Sequence, residues 1–249
     1  MAFNVAADAY DSFMGRYSVQ LGPQMADFAG VEAGQSVVDV GCGPGALTAE
    51  LVKRGAEVAA VDPSPQFVAA AQERYPAVDV RQAAAESLPF ADDEFDAALA
   101  QLVVHFMAEP VRGIAEMARV TRPGGVVAAS VWDMVGGAAP ISPFWRAARE
   151  LNPNVEGESN RAGAGEGQLS VLFEQAGLRE VGEKALTVNV EHPTFEEWWR
   201  PFTLGVGPAG EYYLQLDPEQ QSELEQRLRD QLPEPVRLET RAWAARGTV

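Results

Sequence analysis

The sequence predicts an α/β fold: a Rossmann-like, mostly parallel sheet with helices on both faces. Between Ser36 and about Asp133, short apolar runs rich in valine and alanine alternate with longer stretches of helical spacing. Strands that alternate with helices in this way form right-handed βαβ units, and therefore a parallel sheet. We expect the 249 residues to form one domain with four parts: residues 1–35, 36–133, 134–168 and 169–249.

The core segment, residues 36–133, shows helix boundaries as well as apolar runs. Ser64-Pro65 is typical of a helix N-cap followed by proline at the first helical position. Gly55 stands where a helix that ends near Arg54 needs a left-handed residue. Pro123-Gly124-Gly125 predicts a turn before the fifth run. The strands predicted from the runs are Val37–Val40, Val58–Val61, Asp96–Leu99 and Val126–Val131.

The second half of the chain is less regular. Residues 134–168 form a glycine-rich loop or insertion in which we expect a mobile segment at Val155–Gly167. Over about residues 194–233, the signals Thr194-x-x-Glu197 and Asp217-Pro218 predict an insertion of capped helices. The other predicted elements of this half are a helix at Gln168–Ala176 and strands at Leu186–Val190 and Glu239–Val249.

Composition excludes several function classes. The chain carries 19 Lys+Arg against 36 Asp+Glu, a formal net charge of −17, and such a field repels nucleic acids and anionic membranes. Cys42 is the single cysteine, which rules out an intramolecular disulfide and a multi-cysteine metal site. Residues 1–10 lack the pattern of a secretory signal, and no apolar stretch approaches the ~20 residues of a membrane helix. We therefore expect a cytoplasmic protein with a small-molecule substrate and no resident metal.

The strongest site signal is a glycine-rich turn that follows the first predicted strand. Residues 37–45 read Val-Val-Asp-Val-Gly-Cys-Gly-Pro-Gly, and a helix is predicted from about Ala46. Glycines let the backbone approach a ligand closely, and the free N–H groups at a helix start favour an anionic group. The next strand ends in Asp62, whose carboxylate can accept hydrogen bonds from ribose hydroxyls. The pattern indicates a cofactor that contains adenosine.

Two cofactor classes fit this turn. Gly41-x-Gly43-x-x-Ala46 satisfies the loose dinucleotide pattern, so an NAD(P)-dependent oxidoreductase is one alternative. Asp39 argues against it, because an anion just before the turn repels a pyrophosphate. The same anion attracts a ligand that carries an ammonium and a sulfonium. Residues 82–90, after the third strand, offer backbone amides that could read an adenine edge.

Five motifs follow one another in the core segment. They are the glycine turn, Asp62-Pro63-Ser64, Ala85-Glu86-x-Leu88-Pro89-Phe90, Phe95-Asp96-x-x-x-x-Gln101 and Arg119-Val-x-Arg122-Pro123-Gly124-Gly125. This ordered set is similar to the class I S-adenosylmethionine-dependent methyltransferases, in their small-molecule branch of ubiquinone/menaquinone type. The resemblance implies a seven-stranded sheet with an antiparallel last strand, an N-terminal helical lid and a helical insertion before that strand. It also implies S-adenosyl-L-methionine as cofactor and S-adenosyl-L-homocysteine as product.

By the same resemblance, specific residues would hold the cofactor. The backbone at Gly41 and Gly43 would bind the methionine part, and Asp39 would neutralise its amino group directly or through water. Asp62 would bind the ribose, and Gln101 would lie beside the sulfonium. The full implied set is Tyr17, Asp39, Gly41, Cys42, Gly43, Asp62, Pro63, Ala84, Ala85 and Gln101.

Two expectations from the resemblance, the adenine contact and the lid, have alternative interpretations. Many relatives have Asp at the position of Ala84, where it bonds the adenine amino group. Its absence costs roughly 1.5–3 kcal/mol of binding if nothing replaces that bond. Residues 9–18 are similar to the lid segment of the family, in which Tyr17 would face the methionine end. The alternative is an amphipathic helix that only packs on the core.

Methyl transfer from a sulfonium is an in-line displacement, so positioning supplies much of the acceleration. A hydroxyl acceptor also benefits from a base. His105 lies just after the fourth strand, at the carboxyl edge where open α/β sheets place their sites. It is the first candidate for a base or a substrate contact. His192 and Asp133 are the others, and an acceptor that is already nucleophilic would need no base.

The aromatic residues of the second half have two interpretations. They could roof an acceptor pocket, or they could pack the helices of the insertion. Glycines at 205, 207 and 210 would make such a roof mobile. A cofactor-binding protein without catalysis is a further alternative to the enzyme. The aromatic residues concerned are Trp145, Trp198, Trp199, Phe202, Tyr212 and Tyr213.

Overall fold

In the computed structural model, which describes residues 11–249, seven strands form one sheet. Their order is β3-β2-β1-β4-β5-β7-β6. The first five strands are parallel, and the last strand is antiparallel to both of its neighbours. The predicted mostly parallel sheet with an antiparallel last strand is confirmed. The strands are β1 Ser36–Val40, β2 Glu57–Asp62, β3 Asp79–Gln82, β4 Phe95–Gln101, β5 Thr121–Trp132, β6 Arg179–His192 and β7 Val236–Thr248.

Helices cover both faces of this sheet. A π-helical turn, Asp11–Gly15, precedes the first α-helix, and a 3₁₀ turn, Val104–Phe106, follows β4. The last three helices lie between β6 and β7, where the insertion was predicted. No helix within residues 11–249 is both long enough and apolar enough to cross a membrane. The helices are α1 Arg16–Ala29, α2 Ala46–Lys53, α3 Pro65–Arg74, α4 Pro110–Val120, α5 Ser142–Leu151, α6 Gln168–Gln175, α7 Phe195–Thr203, α8 Gly207–Gln215 and α9 Pro218–Gln231.

The two sheet faces have separate apolar cores. On one face, Leu21 and Met25 of α1 pack with Val37, Leu99 and the helices α7–α9. On the other face, Ile114 and Met117 of α4 and Phe173 of α6 pack against Val38 and Val40 of β1. These two valines alternate along the strand with Val37, which belongs to the first core. This alternation is what a parallel sheet buried on both faces requires.

Local signals determine most helix starts and ends. The Ser64 hydroxyl caps α3 and the Thr194 hydroxyl caps α7 by accepting a backbone N–H of the first turn. Asp217 and Gln220 form a reciprocal capping box on α9. Gly55 has a φ of +80°, as the predicted helix end requires.

Two predicted loops differ from the structure. Residues 123–125 belong to β5. Phe95 of β4 pairs with Thr121 and Ala97 pairs with Val126, so β5 has more residues than β4 between these two pairs. The additional residues of β5 bulge out of the sheet. Within 134–168, residues 142–151 form α5, because its apolar side is buried in the core. Gly210 lies inside α8, and a Cβ there would come within 2.8 Å of Gly205 Cα. This glycine therefore permits close packing of α8 on the end of α7.

The aromatic residues of the second half pack mainly as core. Trp198, Trp199 and Phe202 on α7 are buried. The Phe202 ring stacks on Phe144 of α5 at 4.8 Å and meets the Phe13 ring edge-on at 5.2 Å. The cluster joins three elements that are distant in sequence, so it fixes the insertion to the N-terminal turn.

We expect Phe202→Ala to lower the free energy of unfolding by about 3–5 kcal/mol, since it leaves a cavity in this cluster. Leu204, two residues further along and 55% exposed, is the matched control. Leu204→Ala should change stability by less than about 0.5 kcal/mol. Urea unfolding followed by tryptophan fluorescence measures both variants. Equal, small effects would show that the α7 aromatics are not core.

Candidate functional site

The carboxyl ends of β1–β4 meet at one edge of the sheet and form a cleft of about 270 Å³, the cofactor cleft. Strand order reverses between β1 and β4 at this edge, so the crossover helices diverge and leave a crevice. Residues from four separate loops therefore converge here. The predicted site residues that line the cleft are Gly41, Gly43, Asp62, Pro63, Ala84, Ala85 and Gln101.

The glycine turn shapes the floor of the cleft. The backbone N–H groups of Gly41 and Cys42 donate to the Val61 carbonyl oxygen at 2.7 and 2.9 Å, which fixes the turn against β2. Gly41 has a φ of +73°, and a Cβ there would lie 2.5 Å from Val103 Cγ2. Gly43 has a φ of +54°, and apart from Gly43 and its two chain neighbours no residue from 11 to 249 has an atom within 4 Å of the position that a Cβ would occupy. Its open side leaves room for a ligand next to the backbone.

Asp62 joins two loops of the cleft. Its Oδ2 accepts the Gly43 N–H at 2.9 Å and its Oδ1 accepts the Ser64 N–H at 2.8 Å. Each carboxylate oxygen can accept a second hydrogen bond, so the side chain can also bind a hydroxyl of a ligand. Burial raises the pKa of this carboxyl, and the two backbone bonds oppose the change.

Asp39 and Cys42 lie beneath the cleft and do not line it. The Thr48 hydroxyl donates to Asp39 Oδ2 at 2.6 Å, and the carboxyl is 1% exposed. Burial, with the charge of Asp62 nearby, raises the pKa of Asp39 to about 7. Burial also raises the pKa of the Cys42 thiol. Neither side chain is exposed in the cleft, so the contacts of Asp39 and Cys42 with a cofactor stay predictions.

Gln101, at the end of β4, connects the cleft to the N-terminal helix. Its Nε2 donates to the Ser18 carbonyl oxygen at 3.0 Å. Its Oε1 is buried and has no hydrogen-bond partner among residues 11–249. A buried carbonyl oxygen without a partner is costly.

Tyr17 is held away from the cleft lining by a histidine. Its hydroxyl lies 2.7 Å from His192 Nε2, and Arg16 Nη1 lies 3.3 Å from His192 Nδ1. A guanidinium only donates, so a neutral His192 accepts at Nδ1 and donates its Nε2–H to Tyr17. Burial lowers the pKa of His192 to about 4, with Arg16 adding to the effect. The contact of Tyr17 with a cofactor stays a prediction, and Ala9 and Tyr10 of the predicted lid lie outside the described residues.

A second cavity, of about 40 Å³, adjoins the cofactor cleft, and we call it the apolar cavity. Leu102 and Phe106 line both spaces. Its other walls come from the N-terminal turn, the end of β5 and the start of α8, through Phe13, Met14, Trp132 and Val206–Ala209. Most of this lining is apolar, and two ionisable side chains interrupt it.

His105 and Glu158 are those two ionisable side chains. His105 is 5% exposed, and its Nδ1 has no partner within the described part of the chain. Burial lowers the pKa of His105 to about 3, and the charge of Arg161 adds to this. Glu158 accepts the Trp145 indole N–H at 3.1 Å, and burial raises the pKa of its carboxyl. Sequence reasoning missed Glu158, because nothing in its glycine-rich segment indicates burial.

The remaining candidate, Asp133, has a structural role. Its Oδ2 accepts from Arg241 Nε at 2.8 Å, and its Oδ1 accepts the Gly136 N–H at 2.7 Å. It lines neither the cofactor cleft nor the apolar cavity. Within residues 11–249, no group of three or more His, Cys, Asp and Glu side chains is arranged to hold a metal ion.

Sequence comparisons match this site to a known family. Residues 38–129 match the family model described as "Methyltransferase domain". An uncharacterized methyltransferase of Mycobacterium tuberculosis is 38% identical over 125 residues, 50% of this chain and 49% of the relative. A malonyl-[acyl-carrier protein] O-methyltransferase of Pseudescherichia vulneris is 36% identical over 151 residues, 59% of this chain and 57% of the relative. The chain thus matches about half the length of these curated relatives.

Solved structures share the fold over most of the chain. The YcgJ protein of Bacillus subtilis has a TM-score of 0.61 at 20% identity, with 93% of this chain and 97% of that chain covered. The Haemonchus contortus phosphoethanolamine N-methyltransferase 2, in complex with phosphomonomethylethanolamine and S-adenosylhomocysteine, has a TM-score of 0.62 at 15% identity. That comparison covers 97% of this chain and 56% of the other. Because these sequence identities are only 20% and 15%, the similarity shows a shared fold and no more.

The raised pKa of Asp39 predicts a pH-dependent stability. Because the folded-state pKa is about 7 and the ordinary value 3.8, the folded protein binds this proton more tightly than the unfolded chain. Stability therefore falls as pH rises from about 4 to 7. We expect Asp39→Asn to be more stable than the wild type at pH 8, by about 2–4 kcal/mol, and similar to it at pH 4.5.

Urea unfolding of the ligand-free protein at both pH values measures this difference. Asp230→Asn, an exposed change on α9, controls for loss of a negative charge from an acidic protein. If Asp39→Asn and the wild type kept the same difference at both pH values, Asp39 would not be the titrating group.

Proposed function

We propose that this chain, whose residues 38–129 match a methyltransferase domain, transfers a methyl group from S-adenosyl-L-methionine to a small organic acceptor. The comparisons support the class I methyltransferase family that the motifs indicated, and the ubiquinone/menaquinone-type branch stays a prediction. One observation carries the proposal of activity. The cofactor cleft gathers the predicted glycines, Asp62 and Gln101, and it adjoins an apolar cavity across Leu102 and Phe106.

The residues of the cleft fit this cofactor. The open side of Gly43 would admit the methionine part, and the free acceptor sites of Asp62 would bind the ribose hydroxyls. The backbone at Ala84 and Ala85 would meet the adenine. The unpartnered Oε1 of Gln101 would face positive charge at the sulfonium. When bound, the cofactor supplies a methyl group activated by that sulfonium.

Asp39 would provide the long-range part of cofactor binding. A buried carboxylate favours a ligand with two positive centres, and the ligand in turn favours ionised Asp39. Cofactor affinity should therefore rise with pH through the Asp39 pKa of about 7. Below that pH, binding would release a proton.

The apolar cavity would place the acceptor for an in-line displacement. The residues of the cavity would hold a lone pair of the acceptor toward the methyl group that the bound cofactor would supply, and the electron pair of the carbon–sulfur bond would stay on sulfur. Positioning of the acceptor then supplies much of the rate acceleration. His105, neutral at physiological pH because its pKa is about 3, would hydrogen-bond an acceptor hydroxyl and orient it. With a pKa this low, the His105 imidazole would not accept the proton of the acceptor hydroxyl.

The two alternative functions, an oxidoreductase and a binding protein without catalysis, fit these residues less well. An oxidoreductase that binds NAD(P) would place a pyrophosphate near the buried Asp39, which repels it. A protein that only binds the cofactor has no need of a separate apolar cavity with an unpartnered His105 Nδ1 beside the cleft. The net charge of −17 favours a small molecule over a nucleic acid as acceptor.

Calorimetric titration with S-adenosylmethionine, S-adenosylhomocysteine and NADH tests the proposed cofactor. We expect micromolar binding of the two sulfur ligands and tenfold or greater weakening in Asp62→Ala, since charge-assisted hydrogen bonds contribute about 1.5–3 kcal/mol. Asp79→Ala is the matched control, because Asp79 lies at the opposite end of β3. Binding of NADH alone, or of none of the three, would overturn the proposal.

The two histidines of the chain allow a direct test of the role of His105. We expect both imidazoles of tag-free protein to stay neutral from pH 5.5 to 8, since their pKa values are about 3 and about 4. Nitrogen-15 NMR of the ring nitrogens measures this, and His192→Gln assigns the signals. A His105 titration near pH 6.5 would make it a general base instead.

A further inference from the structure

A third cavity, of about 420 Å³, continues from the apolar cavity toward the surface, and we call it the outer cavity. Met134, Ile141 and Glu158 line both cavities. The three spaces thus form a series from the cofactor cleft outward. The apolar cavity holds only a few atoms, whereas the outer cavity has the size of an ordinary small-molecule site. An acceptor that reaches the cleft would keep most of its bulk in the outer cavity.

Helix α5 presents two arginines to the outer cavity. Arg146 and Arg149 lie one turn apart, on the side of the helix away from the buried Phe144 and Ala148. The Arg146 side chain makes no hydrogen bond or ion pair with any residue from 11 to 249. Arg149 donates from Nη2 to the Glu156 carbonyl oxygen at 3.0 Å, and it has no carboxylate partner among the described residues.

The acidic residues nearby do not neutralise these arginines. Glu150 is the i+4 neighbour of Arg146 and lines the same cavity, yet it pairs with Arg227 at 3.0 Å and with Gln231 at 3.2 Å on α9. Glu158 at the inner end is engaged by the Trp145 indole, and burial raises the pKa of its carboxyl, which reduces its opposition to an anion.

Free arginines at a cavity are unusual in this chain. Its 36 acidic residues outnumber its 19 basic ones, and most arginines of the described chain have a carboxylate within ion-pair distance, as Arg16, Arg54, Arg119, Arg229 and Arg237 do. A guanidinium left open at a cavity binds a carboxylate or a phosphate with two hydrogen bonds.

We propose that the methyl acceptor carries an anionic group, a carboxylate or a phosphate, which Arg146 and Arg149 bind in the outer cavity while the reacting end lies in the apolar cavity. This inference rests on the proposed function. The arginines would set which acceptors bind, at a distance from the methyl group, and His105 would orient the reacting end.

Three probes that share a phenol test this: 3-(4-hydroxyphenyl)propanoate, its methyl ester, and 2-(4-hydroxyphenyl)ethyl phosphate. Binding is measured by calorimetry with and without S-adenosylhomocysteine. We expect at least one anion to bind the wild type about fivefold or more tighter than the ester, a modest ratio because the arginines are partly exposed. The stronger of the two anions identifies the group as carboxylate or phosphate.

The double variant Arg146→Gln/Arg149→Gln should lose this preference and keep its affinity for S-adenosylhomocysteine. Arg200→Gln is the matched control, since Arg200 is exposed on α7 and does not line the outer cavity. Thermal melts verify that each variant is folded. Equal binding of anion and ester, no binding of any probe, or a preference that survives in the double variant would overturn the inference. Absence of S-adenosylhomocysteine binding to the wild type would instead overturn the proposed function.

Discussion

The two hydrogen bonds accepted by Asp62 determine the shape of the site. One comes from Gly43 after β1 and the other from Ser64 at the start of α3. Both loops leave the sheet at the point where strand order reverses, so they would otherwise diverge. A single buried carboxylate keeps their backbones beside the cleft. The left-handed conformations of Gly41 and Gly43 are compatible with this arrangement only because neither residue has a side chain.

Buried acids give the cleft its charge, at a cost in stability. Desolvation raises the pKa of Asp39, and the charge of the nearby Asp62 raises it further. A protein selected for stability alone would replace such a carboxyl with an amide, because an unpaired buried charge is unfavourable. The cost is understandable if a cationic ligand occupies the cleft during function, since that ligand compensates the charge. Strained or destabilised groups at functional sites are a general trade-off between stability and activity.

The acceptor side depends on packing between distant segments. The N-terminal turn supplies Phe13, the end of β5 supplies Trp132, and the start of α8 supplies Val206. The aromatic cluster around Phe202 holds these segments together, because its ring contacts both Phe13 and Phe144. The same packing turns the polar side of α5 toward the outer cavity, and α9 engages Glu150. The charge selection proposed for Arg146 would thus be a consequence of how the helices pack on the sheet.

The sequence by itself determined the parts that depend on local chemistry. The glycine turn, the carboxylate at the end of β2, the capping residues Ser64 and Asp217, and the alternation of strands and helices all act over a few residues, so their pattern predicts their structure. Only the tertiary structure decided which side chains lose contact with water. Burial lowers the pKa of His105, removes Glu158 from solvent and makes the aromatic residues of α7 part of the core. The packing of the helices also leaves the exposed Arg146 without a carboxylate partner among residues 11–249, because the partners of an ion pair depend on contacts between helices far apart in the chain.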